Sequence, residues 1–137
     1  MGNSWKFVMA ALFFAFGTLH FGCGAGGGGG SSGESIQTKI LQWEPPSAYT
    51  DGSTLQAATD LDTFEIYVNQ DGNFLEDDQP DAAVGVVDPG TGQISTSFDL
   101  AQLAPFLTPG VEYQISVRAV AITGLKSDFS PSATFFN

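Results

Sequence analysis

The sequence predicts an all-β protein, namely an antiparallel β-sandwich of about seven short strands. From residue 36 onward, apolar and polar side chains alternate over short stretches, which is the two-residue period of half-buried strands. Outside the N-terminal segment, the sequence carries no pattern of a long helix. Pairs of turn-forming residues separate the stretches. These pairs are Asp51-Gly52, Asp71-Gly72, Pro89-Gly90, Pro109-Gly110 and Thr123-Gly124.

The predicted strands follow one another along the chain at short intervals. The first covers residues 40–43 and ends before Pro45 and Pro46, because proline cannot donate a hydrogen bond to a sheet ladder. Residues 64–68 alternate strictly and predict the second strand. Residues 101–106 are expected to form one helical turn at most. The remaining predicted strands are 82–87, 94–100, 113–120 and 132–136.

The N-terminal segment has the organisation of a signal peptide. Lys6 precedes an uninterrupted apolar run of ten residues, 7–16. A run of this length matches the core of a signal peptide and is too short to cross a bilayer comfortably. Gly22 and Cys23 then resemble the processing site of a bacterial lipoprotein, although His20 stands where such sites usually carry leucine. The resemblance implies that Cys23 becomes the lipidated N-terminus of the mature protein.

Three interpretations of this segment remain open. Either Cys23 is diacylated, or an ordinary signal peptidase cuts near Ala25 and releases the protein, or the segment stays in place as an uncleaved anchor. A single exposed thiol is a liability in an oxidising compartment unless it is used chemically, which favours lipidation. Each buried acyl methylene contributes about 0.8 kcal/mol, so two or three acyl chains hold a protein firmly on a membrane.

These observations divide the chain into three parts. They are a signal peptide at 1–22, a lipidated cysteine with a Gly/Ser tether at 23–35, and a β-domain at 36–137. A flexible tether of this composition holds a domain on the order of 20 Å from the bilayer. We therefore expect a membrane-anchored lipoprotein of the bacterial cell envelope, or a secreted protein if Cys23 is not lipidated.

Charge and composition exclude several classes of function. The chain has 4 basic and 15 acidic residues, and its net charge of −11 argues against binding to nucleic acid or to anionic lipid headgroups. Its single histidine, His20, lies in the part expected to be removed. A mature chain without histidine has no Ser-His-Asp or Cys-His nucleophilic system and no histidine zinc site. We predict that the protein is not an enzyme and uses no cofactor.

Three stretches of the β-domain resemble a fibronectin type III domain. They read LQWEPPSAYTDGSTL, DLDTFEIYV and LTPGVEYQISVRAVAITGLKSDFSP. The resemblance covers about residues 36–136 and implies an immunoglobulin-like sandwich. It also implies that Trp43 lies between the sheets and that Tyr113 forms the tyrosine corner of that fold. The residues that carry the resemblance are Trp43, Pro45, Pro46, Leu107, Pro109, Gly110, Tyr113, Gly124 and Ser127.

Residues 69–81, the acidic loop, read NQDGNFLEDDQPD and carry oxygen atoms of the kind that Ca²⁺ prefers. When Gly72 is placed at the sixth position of the EF-hand pattern, Tyr67 falls at the first ligand position and cannot serve there. We therefore predict that the acidic loop binds no metal. Repulsion between its carboxylates predicts that it is mobile and spread into water.

The sequence as a whole predicts a non-catalytic interaction or spacer module. Its partner is expected to be a protein or a polysaccharide, and the sequence does not identify which. The alternative is a small carbohydrate-binding domain, because sugars pack against exposed aromatic rings. The candidate rings for that alternative are Tyr49, Phe74 and Phe106.

Overall fold

The structure is a computed structural model that describes residues 39–137, and this part of the chain is all-β, as predicted. The predicted signal peptide at 1–22, the lipidated Cys23 and the tether at 23–35 lie outside the described residues. The strands between residues 39 and 137 are β1 (Ile40–Gln42), β2 (Leu61–Asn69), β3 (Ala82–Gly85), β4 (Ser97–Asp99), β5 (Glu112–Ala121) and β6 (Ala133–Phe136).

The helical elements of the described part are all short. The sequence pattern did not predict α1 (Ala57–Asp60), a single turn that directly precedes β2. The turn expected at 101–106 is present as two 3₁₀ turns, Leu100–Gln102 and Ala104–Phe106. The Asp99 side chain caps the first of these by accepting a hydrogen bond from the Ala101 backbone N–H at 2.9 Å. Between residues 39 and 137, no helix has the length and apolar character needed to cross a membrane.

The strands form two antiparallel sheets. A four-stranded sheet has the order β3-β2-β5-β6, and a two-stranded sheet pairs β1 with β4. The longest pairing joins β2 and β5 and runs from Leu61 opposite Ala121 to Asn69 opposite Gln114, with one irregularity between Leu61 and Thr63. The finer expectation, an immunoglobulin-like sandwich of about seven strands, stays a prediction.

One hydrophobic core receives side chains from both sheets. Trp43, expected in the core, is 3% exposed, and its ring meets Phe64 edge to face at 5.3 Å between centroids. The core residues include Leu41 and Phe98 from the two-stranded sheet, and Phe64, Ile66, Tyr113, Ile115, Val117, Ala119 and Phe135 from the four-stranded sheet.

β5 is buried on both of its faces. The predicted inward positions on this strand, from Tyr113 to Ala119 in steps of two, all join the core. The outward residues Ser116 and Arg118 are buried as well, at 0% and 2% exposure. An antiparallel sheet with one solvated face would place such polar side chains in water. A second layer of chain therefore covers the outer face of this sheet over β5, whereas the outward residues Thr134 and Phe136 of β6 are exposed.

Candidate functional site

The residues that resemble the fibronectin type III signature hold backbone segments together. The Tyr113 hydroxyl accepts a hydrogen bond from the Thr108 backbone N–H at 3.0 Å, and this bond lowers the pKa of Tyr113. Gly110 adopts φ +76°, as its place in the turn requires, and its N–H donates to the Asn137 carbonyl at 2.7 Å. The ring of Tyr113 stacks on Phe135 at 5.9 Å. This corner therefore ties the chain before β5 to the end of β6.

The other signature residues are also structural. Ser127 is fully buried, and its hydroxyl accepts from the Ala119 N–H at 2.9 Å and donates to the Asp128 carbonyl at 2.7 Å. Gly124, at φ +83°, lies in the turn that follows β5. Pro46 is buried and Pro45 partly buried, while Leu107 packs against the core.

Arg118 is the centre of the layer that covers β5, and its role was not predicted from the sequence. Its Nε donates to the Ser127 carbonyl at 2.8 Å, and its Nη2 donates to a carboxylate oxygen of Glu76 at 2.8 Å. The guanidinium lies 4.5 Å from the ring centroid of Phe129, which is a cation–π contact. Nη1 is buried without a hydrogen-bond partner. The one sequence feature that could have indicated this role is an arginine in the middle of a strand with strong alternation of apolar residues.

The acidic loop folds back onto this face of the sheet. Besides the ion pair of Glu76 with Arg118, the Phe74 ring stacks on Phe129 at 5.5 Å. Phe129 in turn meets Tyr67 of β2 edge to face at 5.0 Å. The prediction that repulsion spreads the loop into water is correct only for its exposed carboxylates, because Phe74 and Glu76 hold the loop against the sheet through Phe129 and the buried Arg118.

Polar side chains of the loop accept hydrogen bonds from backbone N–H groups of the loop itself and of the adjoining end of β2. Three such hydrogen bonds satisfy backbone N–H groups that would otherwise lack an acceptor within the protein, and they give the loop a defined path. Among residues 39–137, no three His, Cys, Asp or Glu side chains are grouped so that they could hold a metal ion. The bonds run from the Gly72 N–H to Asn69 Oδ1 (2.7 Å), from the Leu75 N–H to Asp78 Oδ2 (2.8 Å) and from the Val68 N–H to Asp81 Oδ2 (2.7 Å).

This path leaves a cleft between the loop and the end of β2, which we call the loop cleft. Its volume is about 290 Å³, and it opens to solvent. Two aromatic rings, three side-chain amides and two carboxylates line it, and none of these lining residues is basic. The lining residues are Tyr67, Val68, Asn69, Asn73, Phe74, Asp78, Gln79 and Asp81.

A second charged group lies beside Tyr67. The Lys126 Nζ is 2.7 Å from the Glu65 carboxylate, and the hydrogen bond with Glu65 raises the pKa of Lys126. The Tyr67 hydroxyl donates to the same carboxylate at 2.5 Å, and burial is the main cause that raises the pKa of Tyr67. The hydroxyl is therefore engaged with Glu65, and Tyr67, at 1% exposure, is a buried member of the lining of the loop cleft.

The three rings proposed for sugar binding do not share one face. Tyr49 packs against the core, whereas Phe74 lies on the outer face of the four-stranded sheet against Phe129. Phe106, at 83% exposure, ends the second 3₁₀ turn. Of the three, only Phe74 lines the loop cleft.

Comparison with known proteins identifies no relative. No family model, no curated protein and no solved structure matches the chain. The function is therefore inferred from the residues and contacts described above.

Proposed function

We propose that this protein is a non-catalytic lipoprotein of the bacterial cell envelope that presents one fibronectin type III-like domain as an interaction or spacer module. The observation that supports this domain type best is the hydrogen bond from the Thr108 N–H to the Tyr113 hydroxyl, which has the geometry of a tyrosine corner. The buried Trp43 and the positive φ of Gly110 agree with the same assignment.

The anchor in this proposal is a lipid on Cys23. An apolar run of signal-peptide length precedes this residue, and a Gly/Ser tether follows it. The net charge of −11 disfavours electrostatic docking on anionic lipid, so acyl chains supply the attachment. The tether then presents the domain above the membrane surface.

The chemistry of the domain supports a role without catalysis. Residues 39–137 contain no histidine and no cysteine, the side chains on which most nucleophilic and general-base systems depend. The carboxylates of Asp78 and Asp81 accept hydrogen bonds from backbone N–H groups. The buried Arg118 holds the acidic loop in place. These contacts stabilise the domain and fix its surface.

The anchor is tested by expressing the full chain in a bacterial host and comparing it with Cys23→Ser. We expect the unaltered chain in the membrane fraction, with an acylated residue 23 at its N-terminus by mass spectrometry, and Cys23→Ser outside that fraction. Ser31→Ala changes a tether residue of similar size and serves as the control, which should stay in the membrane fraction. A mature chain that begins unmodified at Gly26 would contradict lipidation.

A further inference from the structure

We propose that the loop cleft is a binding site for a neutral sugar. This site goes beyond the proposed anchor and spacer role, since neither a tether nor a spacer needs a shaped cleft. The two carboxylates and the absence of basic groups among the lining residues disfavour anionic ligands, because like charges repel. The cleft therefore suits a ligand that carries no negative charge and many hydrogen-bonding groups.

The donor and acceptor set of the cleft matches sugar hydroxyls. Each hydroxyl both donates and accepts, and the amides of Asn73 and Gln79 do the same, whereas both ends of the Asn69 amide are bonded to the loop backbone. Asp78 and Asp81 each use Oδ2 on a backbone N–H, which fixes the carboxylate and leaves Oδ1 to accept from a ligand. Hydrogen bonds from a hydroxyl to a carboxylate are among the short and strong ones.

The aromatic part of the lining supplies an apolar surface. Phe74 lines the cleft, is partly exposed and stacks on Phe129, so its ring supplies the apolar surface, whereas Tyr67 is 1% exposed and belongs to the buried wall of the cleft. Aromatic rings offer large, rigid contact areas, against which the C–H face of a sugar ring packs. A volume of about 290 Å³ lies at the lower end for ligand pockets, so the site accommodates one or two sugar rings.

The cleft is organised before any ligand arrives. The ion pair of Glu76 with the buried Arg118 holds the loop that carries Phe74 and Asp78. The Val68 N–H bond to Asp81 joins the far end of that loop to β2. A preformed site avoids the ordering cost that a mobile loop would impose on binding.

The test uses the full chain, kept in a detergent without a sugar head group. The probes are cellotriose, maltotriose, mannotriose and N-acetylated chitotriose, each titrated to about 10 mM while backbone amide NMR signals are followed. We expect at least one trisaccharide to shift the amides of Val68, Asn73 and Asp81. Phe74→Ala and Asp78→Asn should each weaken that binding about tenfold or more.

Matched controls come from the same chain. Phe106→Ala removes an aromatic ring outside the cleft, and Asp77→Asn neutralises a carboxylate adjacent to Asp78 but absent from the lining. Both should keep the affinity within about twofold. Thermal unfolding of every variant establishes that it is folded, and Gln79→Ala replaces Phe74→Ala if the latter is not.

Three results would overturn the proposal. The first is that none of the four trisaccharides shifts any amide signal. The second is that the shifts map away from the cleft. The third is that the control variants lose as much affinity as Phe74→Ala and Asp78→Asn. Putrescine, a diamine, is titrated in parallel. If it shifted the cleft amides while no sugar did, the site would be one for ammonium groups instead. None of these outcomes bears on the anchor, which is tested separately at residue 23.

Discussion

Trp43→Ala should destabilise the domain far more than Trp43→Phe. The indole is 3% exposed and packs edge to face on Phe64, so truncation to alanine removes a large buried ring and leaves a cavity. Truncations of this kind cost about 3–5 kcal/mol. That is a large part of the roughly 5–15 kcal/mol by which domains are stable.

Phenylalanine at position 43 is expected to behave differently because the indole Nε1 is buried without a partner. A buried donor without an acceptor costs about 1–3 kcal/mol, and phenylalanine removes it. The smaller phenyl ring makes fewer packing contacts, and this loss costs about as much, about 1–3 kcal/mol. The two effects oppose each other, so Trp43→Phe should change the free energy of unfolding by less than about 1.5 kcal/mol.

Urea unfolding followed by far-UV circular dichroism measures both changes. With a slope of about 1–3 kcal/mol per molar urea, Trp43→Ala should lower the midpoint by about 1 M or more. Phe106→Ala, which removes an aromatic ring at 83% exposure, is the control and should stay within about 0.5 kcal/mol. A loss below about 1 kcal/mol for Trp43→Ala would contradict its place in the core. Equal losses for alanine and phenylalanine would contradict the unsatisfied donor.

Two further predictions concern the corner and the response to acid. Tyr113→Phe removes the acceptor of the Thr108 N–H, and because Thr108 is exposed, water replaces part of the bond. The expected cost is about 0.5–1.5 kcal/mol, which lowers the melting temperature by roughly 2–12 °C, and an unchanged melting temperature would contradict it. The N–H groups of Thr91 and Gly90 lower the pKa of Asp88, so its contribution to stability is present above the ordinary aspartate pKa and is lost as pH falls through the lowered one. In thermal melts below about pH 4, Asp88→Asn should therefore lose stability less steeply than the unaltered chain, and coincident acid profiles would refute this.

Much of the fold was predictable because it follows from local sequence patterns, namely alternating apolar residues and glycine-containing turns. The alternation around Phe64 and Tyr113 predicted β2 and β5, and their register follows once the inward faces meet in one core. Gly110 and Gly124 were predicted to lie in turns, and both have positive φ. α1 was missed because a single helical turn is too short to show a helical period.

The covering layer and the cleft could not be predicted in the same way. Arg118 meets Glu76 across 42 residues, and no local pattern connects positions so far apart. The acidic loop was predicted to spread into water because only the repulsion between its carboxylates was considered. The backbone N–H groups that bind Asp78 and Asp81 were not part of that argument. The three candidate rings for sugar binding were chosen by residue type, whereas the path of the loop decides that Phe74 is the one of those three that lines the cleft.

The buried Arg118 also affects how this protein avoids misfolding. Side chains on a strand alternate with a period of two, so a slip of β5 by one residue against β2 would turn the guanidinium from Phe129 into the apolar core. A buried charge without its partners is strongly unfavourable, so mispaired forms of this kind would be much less stable than the native one. The unpartnered Nη1 lowers the stability of the native state, while the same guanidinium makes a state slipped by one residue much less stable still. Replacing Arg118 with methionine would thus yield a chain that holds together yet pairs its central strands less faithfully during folding.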